Sequence, residues 1–329
     1  MNTRTRVLIA VTGVLTLAAA AVIYVGVAGA RNQDTASAGT SGAVTLEGGR
    51  LLFRSTADAD RGHVSSVSAA DPGGARAVST VSCSRVYAAG GTGICLRPET
   101  GLTTYQLAVL DSRLAVTQEI PLVGLPNRAR VSPDGKRLAW TVFVTGDSYN
   151  GGRFSTRAGT LDLTTDSVEG TLEDFAVTVD GKPYKAADFN FWGVTFTRQP
   201  GRFYATMSTG SHRYLVEGDS TARTVKTLRD NVECPSLSPD ETRVAYKAAI
   251  DGDPAKGWRV SVLDLASGTV TPLAETRNVD DQPAWLDDRT VAYALPRTQG
   301  HSDVWAVPAD GSGAPRLLIP EAESPAALS

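Results

Sequence analysis

The chain has 329 residues, of which 20% are charged and 42% hydrophobic, and its formal net charge at pH 7 is −3. This composition is typical of a globular protein and excludes a largely disordered chain. A slightly acidic charge balance also gives no reason to expect binding to nucleic acid or to an anionic membrane surface.

The N-terminal part of the chain is strongly hydrophobic. Residues 7–30 contain no charged side chain, and about 20 apolar residues suffice to span the hydrocarbon core of a bilayer as a helix. Arg4 and Arg6 precede this run. The positive-inside rule therefore places the N-terminus in the cytoplasm and predicts that everything after Arg31 is exported.

The fate of this segment has two interpretations. The run is longer than the apolar region of a usual signal peptide, which favours an uncleaved single-pass anchor in the cytoplasmic membrane. The small residues at Ala28–Ala30 also fit a signal-peptide cleavage site, and cleavage there would give a secreted protein. In either case residues 1–30 are the membrane-targeting segment, and residues 31–42 are expected to be a flexible linker.

One short phrase recurs along the rest of the chain. It reads VSPDGKRLAW at Val131–Trp140, LSPDETRVAY at Leu237–Tyr246 and, in a divergent copy, WLDDRTVAY at Trp285–Tyr293. Pro suits the early position of a tight turn, Asp bonds to the local backbone, and Gly takes positive φ. An alternating apolar run follows each turn, so the phrase predicts a β-hairpin.

Six such hairpins occur at nearly regular spacing. Their first apolar residues after the turn recur at intervals of 41 to 47 residues, with one longer interval of 65. Each unit continues with two more short strands, and four strands in about 40–45 residues are the signature of a propeller blade. We therefore predict an all-β fold, a six-bladed β-propeller over residues 43–329. The six marker residues are Leu51, Ile94, Leu138, Phe203, Val244 and Val291.

Two segments modify the regular pattern. The long interval contains VTVDGKPY, in which Asp-Gly marks a hairpin turn, so residues 172–189 predict an inserted hairpin between blades three and four. The C-terminal sequence EAESPAALS resembles the innermost-strand phrases. We expect it to close the ring as the inner strand of blade one, and the alternative is that residues 43–46 fill that place.

The repeat resembles that of a known family. The Ser-Pro-Asp-Gly turn with its apolar strand, together with DVWAVPADGSGAPRLL at Asp303–Leu318, is similar to the TolB-like propeller repeats over residues 42–329. The segments DFNFWGVTF and NVECPSLSPD are also similar to membrane-anchored TolB-like proteins of actinobacteria. The resemblance implies an envelope location and a protein-binding role, and it names no ligand.

TolB-like propellers also occur as non-catalytic domains of prolyl peptidases. This sequence departs from both arrangements, because we expect neither an α/β domain before the propeller nor a catalytic domain after it. The resemblance is therefore specific for the fold and weak for the function.

The cysteines lie in the part that is expected to be exported. Cys83 and Cys95 flank the second hairpin, and the midpoint between them falls on Ala89, beside a Gly-Gly turn. We expect them to face each other across two antiparallel strands and to form a disulfide, and the alternative is two buried reduced thiols. Cys234 begins the inner strand of blade five and is expected to be either a buried inert thiol or a reactive, ligand-facing one.

Metal-ligating patterns are weak. The three histidines fall in three different blades, so they predict no metal site. Acidic pairs in the loops between second and third strands suit calcium, although solvated turns have the same sequence pattern; no other cofactor is expected. The histidines are His63, His212 and His301, and the pairs are Asp58 with Asp60, Asp147 with Asn150, and Asp251 with Asp253.

The strongest candidate binding surface is the face of the ring at which the inner strands begin. The loops between second and third strands gather on the same face, including residues 145–159. Charged and aromatic side chains around a funnel suit a peptide or a small polar ligand, although charges at inner-strand ends also pair with each other around a hub. The candidate binding residues are Arg128, Arg130, Asp188, Asn190, Phe191, Trp192, Glu233, Asp280, Asp281 and Glu323.

Linear catalytic motifs are lacking. The sequence contains no Gly-x-Ser-x-Gly elbow, no His-Glu-x-x-His and no phosphate loop. We therefore expect a non-enzymatic binding or scaffold module of the cell envelope, outside the cytoplasmic membrane, that docks a protein or peptide on its funnel face. The alternatives are a small-ligand or sugar sensor, and a propeller hydrolase or lyase whose active site is built from loops.

Overall fold

The computed structural model describes residues 43–99, 104–144, 155–298 and 300–329. The predicted membrane-targeting segment and the linker lie outside these residues. Among the residues that are described, no helix has the length and apolar character needed to cross a membrane.

The described residues form 26 β-strands in six sheets. Strands of the first half are β1 (Arg50–Ser55), β2 (His63–Ser68), β3 (Ala77–Ser82), β4 (Arg85–Ala89), β5 (Thr92–Pro98), β6 (Tyr105–Leu110), β7 (Val116–Leu122), β8 (Leu125–Val131), β9 (Arg137–Val144), β10 (Ser155–Asp162), β11 (Ser167–Thr171), β12 (Ala176–Val179) and β13 (Lys182–Tyr184). Strands of the second half are β14 (Asn190–Phe196), β15 (Arg202–Thr209), β16 (His212–Asp219), β17 (Thr224–Arg229), β18 (Glu233–Leu237), β19 (Arg243–Ala249), β20 (Trp258–Asp264), β21 (Val270–Pro272), β22 (Ala284–Asp287), β23 (Thr290–Pro296), β24 (Ser302–Pro308), β25 (Arg316–Ile319) and β26 (Ala322–Leu328).

Each sheet is one blade of a six-bladed propeller, which confirms the predicted fold. Blade 1 has the strand order β26-β1-β2-β3, and blades 2, 3, 5 and 6 are β4–β7, β8–β11, β18–β21 and β22–β25. Blade 4 consists of β14–β17 with two additional outer strands. All six marker residues lie in the second strand of a blade and are buried, so the interval between them is the length of one blade.

The two ends of the propeller close the ring together. β26 pairs antiparallel with β1, from Arg50 opposite Leu328 to Ser55 opposite Ala322, so the C-terminal strand is the inner strand of blade 1. The alternative closure by residues 43–46 is wrong. That segment packs between blades 1 and 2, where the Leu46 amide donates to the Ser112 carbonyl at 2.8 Å.

The additional strands of blade 4 belong to the segment that causes the long interval. β12 and β13 form a hairpin whose turn residues Asp180 and Gly181 have φ of 50° and 76°. β12 then pairs in parallel with β17, with Val177 opposite Val225. The hairpin therefore extends the outer edge of blade 4 to six strands.

The apolar core is divided into six clusters, each filled from two neighbouring blades. Between blades 6 and 1, for example, Phe53 packs with Ala306 and Ile319. Between blades 2 and 3, Ile94 packs with Trp140. A single blade would leave both of its faces in water, so the closed ring is the unit that buries the apolar strands.

The repeated turns are held by their own side chains, as predicted. Ser132 donates to Asp134 at 2.6 Å, and the Lys136 amide donates to the same carboxylate at 3.1 Å. Gly135 in this turn has φ of 72°, and Glu241 holds the equivalent place in blade 5 with φ of 60°. Asp therefore serves the turn itself, which explains why the phrase recurs in blades with different surroundings.

The predicted disulfide is confirmed, but its predicted geometry is wrong. Cys83 and Cys95 are bonded, with their Cα atoms 5.4 Å apart. Cys95 lies opposite Val86 in the β4–β5 ladder, not opposite Cys83. Cys83 lies before β4, on the crossing from blade 1 to blade 2. The disulfide therefore ties the entry of blade 2 to its second strand, and it is not a cross-strand pair within the hairpin.

Candidate functional site

The face at which the inner strands begin opens into a cavity of about 610 Å³, which we call the funnel. Pockets of this size accommodate drug-sized ligands. The inner strands of blades 2 to 5 contribute to it, together with the turns between second and third strands of blades 4 and 5. Its wall is formed by Arg85, Asn127, Arg128, Phe143, Asp188, Asn190, Trp192, Ser208, Gly210, Ser211, Arg213, Glu233, Cys234, Lys247, Pro254, Trp258 and Asp280.

Glu233 is the centre of the funnel's charged network. It is the first residue of β18 and is 4% exposed. Its Oε1 accepts a hydrogen bond from Trp258 Nε1 at 2.8 Å and lies 3.1 Å from Arg213 Nε. Lys247 Nζ lies 3.6 Å from its Oε2. A buried carboxylate is stable only with such partners, so Glu233 fixes three side chains from three different strands.

Lys247 projects from the second strand of blade 5 into the same network. Its ammonium contacts the Asp280 carboxylate and lies 4.3 Å from the ring centre of Trp258. Burial disfavours the charged form, but the nearby Cys234 sulfur and the carboxylates of Glu233 and Asp280 outweigh it, so the pKa of Lys247 is raised. Lys247 is therefore a permanently charged part of the wall.

The surroundings of Arg128 differ from those of Lys247. Its Nη1 donates to the side-chain and backbone oxygens of Asn127 at 2.5 and 3.1 Å, and its Nε is buried with no acceptor. Burial lowers the pKa of Arg128, but its interactions with the Cys234 sulfur and the nearby Asp281 carboxylate outweigh burial, so the net shift is upward. The described residues provide no carboxylate within ion-pairing distance of its guanidinium.

Below Arg128 the hub is closed. Arg130, 5% exposed, crosses the axis and donates to the Pro283 carbonyl at 2.5 Å and to Ser236 Oγ at 3.2 Å, while its guanidinium stacks on Tyr87. Gln282 donates to the Pro235 carbonyl at 2.9 Å. The free space beside these groups shrinks to about 30 Å³, which is room for about one water. The funnel is therefore blind.

The sequence-based list of binding residues thus divides in two. The structure brings six of the ten into the funnel wall, but Arg130, Phe191, Asp281 and Glu323 lie elsewhere. Arg130 and Asp281 belong to the buried hub, and the Asp281 carboxylate accepts the Ala294 amide at 3.1 Å. Glu323 pairs with Arg54 at 3.0 Å. The six wall residues are Arg128, Asp188, Asn190, Trp192, Glu233 and Asp280.

Asp188 and Asn190 also have structural partners. Asp188 accepts hydrogen bonds from Thr209 Oγ1 at 2.6 Å and from the Gly210 amide at 2.7 Å, which lowers its pKa despite partial burial. Asn190 accepts the Thr156 amide at 2.7 Å. Both side chains therefore hold neighbouring segments in place, while Trp192 supplies apolar surface.

Sequence reasoning missed Arg85, Arg213, Lys247 and Trp258. The last three lie outside the inner strands, from whose beginnings the candidate residues were drawn. One signal was available, because Lys247 interrupts an otherwise apolar second strand, RVAYKAA. A lysine in a buried strand requires a partner, and its partners here are Asp280 and Glu233.

Metal ligands do not gather in the part of the chain that is described: no group of three or more His, Cys, Asp or Glu is arranged to hold an ion. His212 bonds to Asp230 at 2.6 Å, and His301 lies near Arg61 and Asp58. The calcium candidates Asp147 and Asn150 lie outside the described residues, as does most of the 145–159 loop. Cys234 is a buried free thiol at the funnel wall.

Comparison with known proteins identifies the fold. No family model and no curated protein matches the chain. Among solved structures, TolB from Acinetobacter baumannii is similar, with 18% identity and a TM-score of 0.62 over 84% of this chain and 66% of that one. The chain therefore spans just under two thirds of that protein's length. A chain in a nidogen/laminin complex is similar, with 12% identity and a TM-score of 0.55 over 85% of this chain and 98% of that one. Identities this low establish the fold alone, a six-bladed β-propeller that is similar to that of TolB.

Proposed function

We propose that this protein is a non-enzymatic binding module on the outer side of the cytoplasmic membrane, and that it docks a protein or peptide in its funnel. The observation that carries the proposal is the funnel of about 610 Å³, closed at its inner end, with charged and aromatic side chains in its wall. Preorganised polar groups beside aromatic surface are the usual composition of a recognition site.

The partners of the wall carboxylates favour binding over catalysis. Glu233 contacts Trp258, Arg213 and Lys247, and Asp188 holds the turn at Gly210. A general acid or base needs to exchange a proton with a substrate. The oxygens of these carboxylates are instead occupied by structural donors, so they position the wall.

The location rests on two features. The uncharged run at residues 7–30 follows Arg4 and Arg6, and the propeller contains the Cys83–Cys95 disulfide. Disulfides persist mainly in oxidising compartments outside the cytoplasm. Both features support a propeller that lies outside the cytoplasmic membrane, either anchored by residues 7–30 or released by cleavage near Ala30.

The proposal is tested by blocking the funnel. Ser208 has a small side chain in the wall, and Ser208→Tyr would fill the cavity without removing a charge. Thr80→Tyr adds the same ring to the exposed outer strand β3 and is the matched control. The full-length protein, solubilised in detergent, serves as bait for membrane extract and culture supernatant of the source organism.

We expect an envelope protein or peptide that is captured by the wild type and by Thr80→Tyr and is lost with Ser208→Tyr. Capture that is unaffected by Ser208→Tyr would place docking elsewhere on the propeller and contradict the proposal. The funnel volume also suits a small polar ligand, so thermal-shift measurements with sugars and amino acids test that second candidate on the same variants.

A further inference from the structure

Resting on the proposed function, we infer that the funnel receives the C-terminal end of a peptide chain and that Arg128 binds its terminal carboxylate. The inference goes beyond docking in general because it names the chemical group that is recognised and the residue that recognises it.

The cations of the funnel wall are unevenly paired. Of its four cations, three have a carboxylate within ion-pair distance: Arg213 and Lys247 pair with Glu233 at 3.1 and 3.6 Å, and Arg85 lies 3.7 Å from Glu323. Within the described residues, Arg128 has no such partner. The nearest carboxylates lie beyond ion-pair distance and its Nε has no acceptor, so this half-buried guanidinium is only partly compensated. An anionic ligand would supply a direct partner.

Arg128 lies deep in the funnel. It lines the wide funnel and also the space of about 30 Å³ beside Arg130 and Gln282, so it lies where the cavity narrows to the closed hub. Arg130 and Gln282 prevent a strand or loop from passing through the hub. A chain end that enters from the mouth can reach Arg128, and the C-terminus is the end of a peptide that carries a negative charge.

The funnel wall also contains aromatic side chains. Trp192, Phe143 and Trp258 line the funnel and offer apolar surface to the last side chains of a peptide. Arginine binds carboxylate through two parallel hydrogen bonds, and capture of a C-terminal carboxylate is a recurring mode of peptide recognition. The polar floor and aromatic wall therefore match a chain end better than an uncharged ligand.

The test compares two libraries of short peptides that lack Asp and Glu and are biotinylated at the N-terminus. One library ends in a free carboxylate and the other in a carboxamide. Each is passed over immobilised full-length protein, retained peptides are identified by mass spectrometry, and their affinities are measured by fluorescence anisotropy. N-acetylated single amino acids form a third arm. Arg128→Gln, Arg128→Lys and the surface control Arg97→Gln are compared with the wild type.

We expect the wild type to retain peptides with a free carboxylate and to bind their amides at least about tenfold more weakly, which corresponds to about 1.4 kcal/mol. Arg128→Gln should lose the preference, Arg128→Lys should keep part of it, and Arg97→Gln should not change it. Arg97 pairs with Glu119 on the outer part of blade 2, away from the funnel.

The other outcomes separate the inference from the proposed function. Equal retention of both libraries would overturn the carboxylate inference and leave peptide docking standing. Retention of neither library would overturn both. Binding of the N-acetylated amino acids alone would refute the peptide source and support a small-ligand receptor. The comparison of carboxylate with amide uses the wild type, so it holds even if an Arg128 variant fails to fold.

Discussion

Glu275→Gln should destabilise the propeller in a pH-dependent way. Glu275 lies in the connection between blades 5 and 6 and is 2% exposed. Its Oε1 accepts the Arg277 amide at 2.7 Å and Arg277 Nε at 2.9 Å. Its Oε2 accepts Arg277 Nη2 at 2.5 Å and the buried Tyr293 hydroxyl at 2.6 Å. An amide cannot accept from all four donors, because one of its two ends is itself a donor.

The magnitude follows from the pKa of this carboxyl. Burial alone would raise it, but the hydrogen bonds from Arg277 and Tyr293 outweigh burial and lower the pKa of Glu275 to about 2 from an ordinary 4.5. At 1.36 kcal/mol per pKa unit, the ionised form gains about 3 kcal/mol on folding. The loss of the charge in Glu275→Gln should therefore cost about 2–3 kcal/mol at pH 7. Tyr293→Phe removes one donor only and should cost about 1.5 kcal/mol.

The sign of the pH dependence is fixed by the lowered pKa. The stabilisation is fully present above the unfolded-state pKa near 4.5 and is lost as the pH falls towards 2. Urea unfolding, followed by tryptophan fluorescence at pH 7, 5 and 3, measures the free energy of unfolding of each protein. The difference between wild type and Glu275→Gln should stay constant from pH 7 to 5 and fall by about half or more at pH 3. A difference that is equal at pH 7 and pH 3 would refute this reasoning.

Three further predictions concern stability. Glu173 joins blades 3 and 4 by accepting hydrogen bonds from the amides of Ala158 and Phe191, yet burial raises its pKa to about 7. The free energy of unfolding of the wild type in urea should therefore fall as the pH rises from 4.5 to 7, and Glu173→Gln should abolish this pH dependence. An unchanged pH dependence in the variant would contradict the role of Glu173. Gly193 has φ of 65°, and a Cβ added there would lie 2.7 Å from the backbone of the neighbouring blade; Gly268 has φ of 70° and open space around it. Gly193→Ala should therefore lower the melting temperature clearly more than Gly268→Ala. Equal effects would show that φ alone determines the loss of stability. The blade 2 disulfide closes a loop with a sequence separation of 12. Its reduction with dithiothreitol should lower the free energy of unfolding by about 2–3 kcal/mol. An unchanged free energy of unfolding would rule out loop closure as the source of stabilisation.

The blades could be predicted because each hairpin is a local structure. The turn at Ser132–Lys136 is held by its own Ser and Asp side chains, and the interval between marker residues follows from four short strands. The inserted hairpin could be predicted for the same reason, since Asp180-Gly181 is a local turn signal. Its parallel pairing with β17 is a contact between distant segments, and no local pattern encodes it.

The cysteines likewise combine a feature that the local sequence predicts with one that depends on distant contacts. Their even spacing around a Gly-Gly turn predicted the correct bond and the wrong geometry, because Cys83 belongs to the crossing between blades. The position of Cys83 depends on how blade 1 packs on blade 2, and there its carbonyl accepts Arg54 Nε at 2.6 Å.

The sequence by itself determined the number of blades, their turns and the face on which charged residues gather, since these depend on neighbours along the chain. Only the tertiary structure decided what each charge does. Arg128 and Arg130 are two residues apart on one strand, yet Arg130 is buried against Pro283 and Tyr87 across the hub, and Arg128 faces the open funnel. The physical reason is that the environment of each guanidinium is set by six inner strands that converge from distant parts of the sequence.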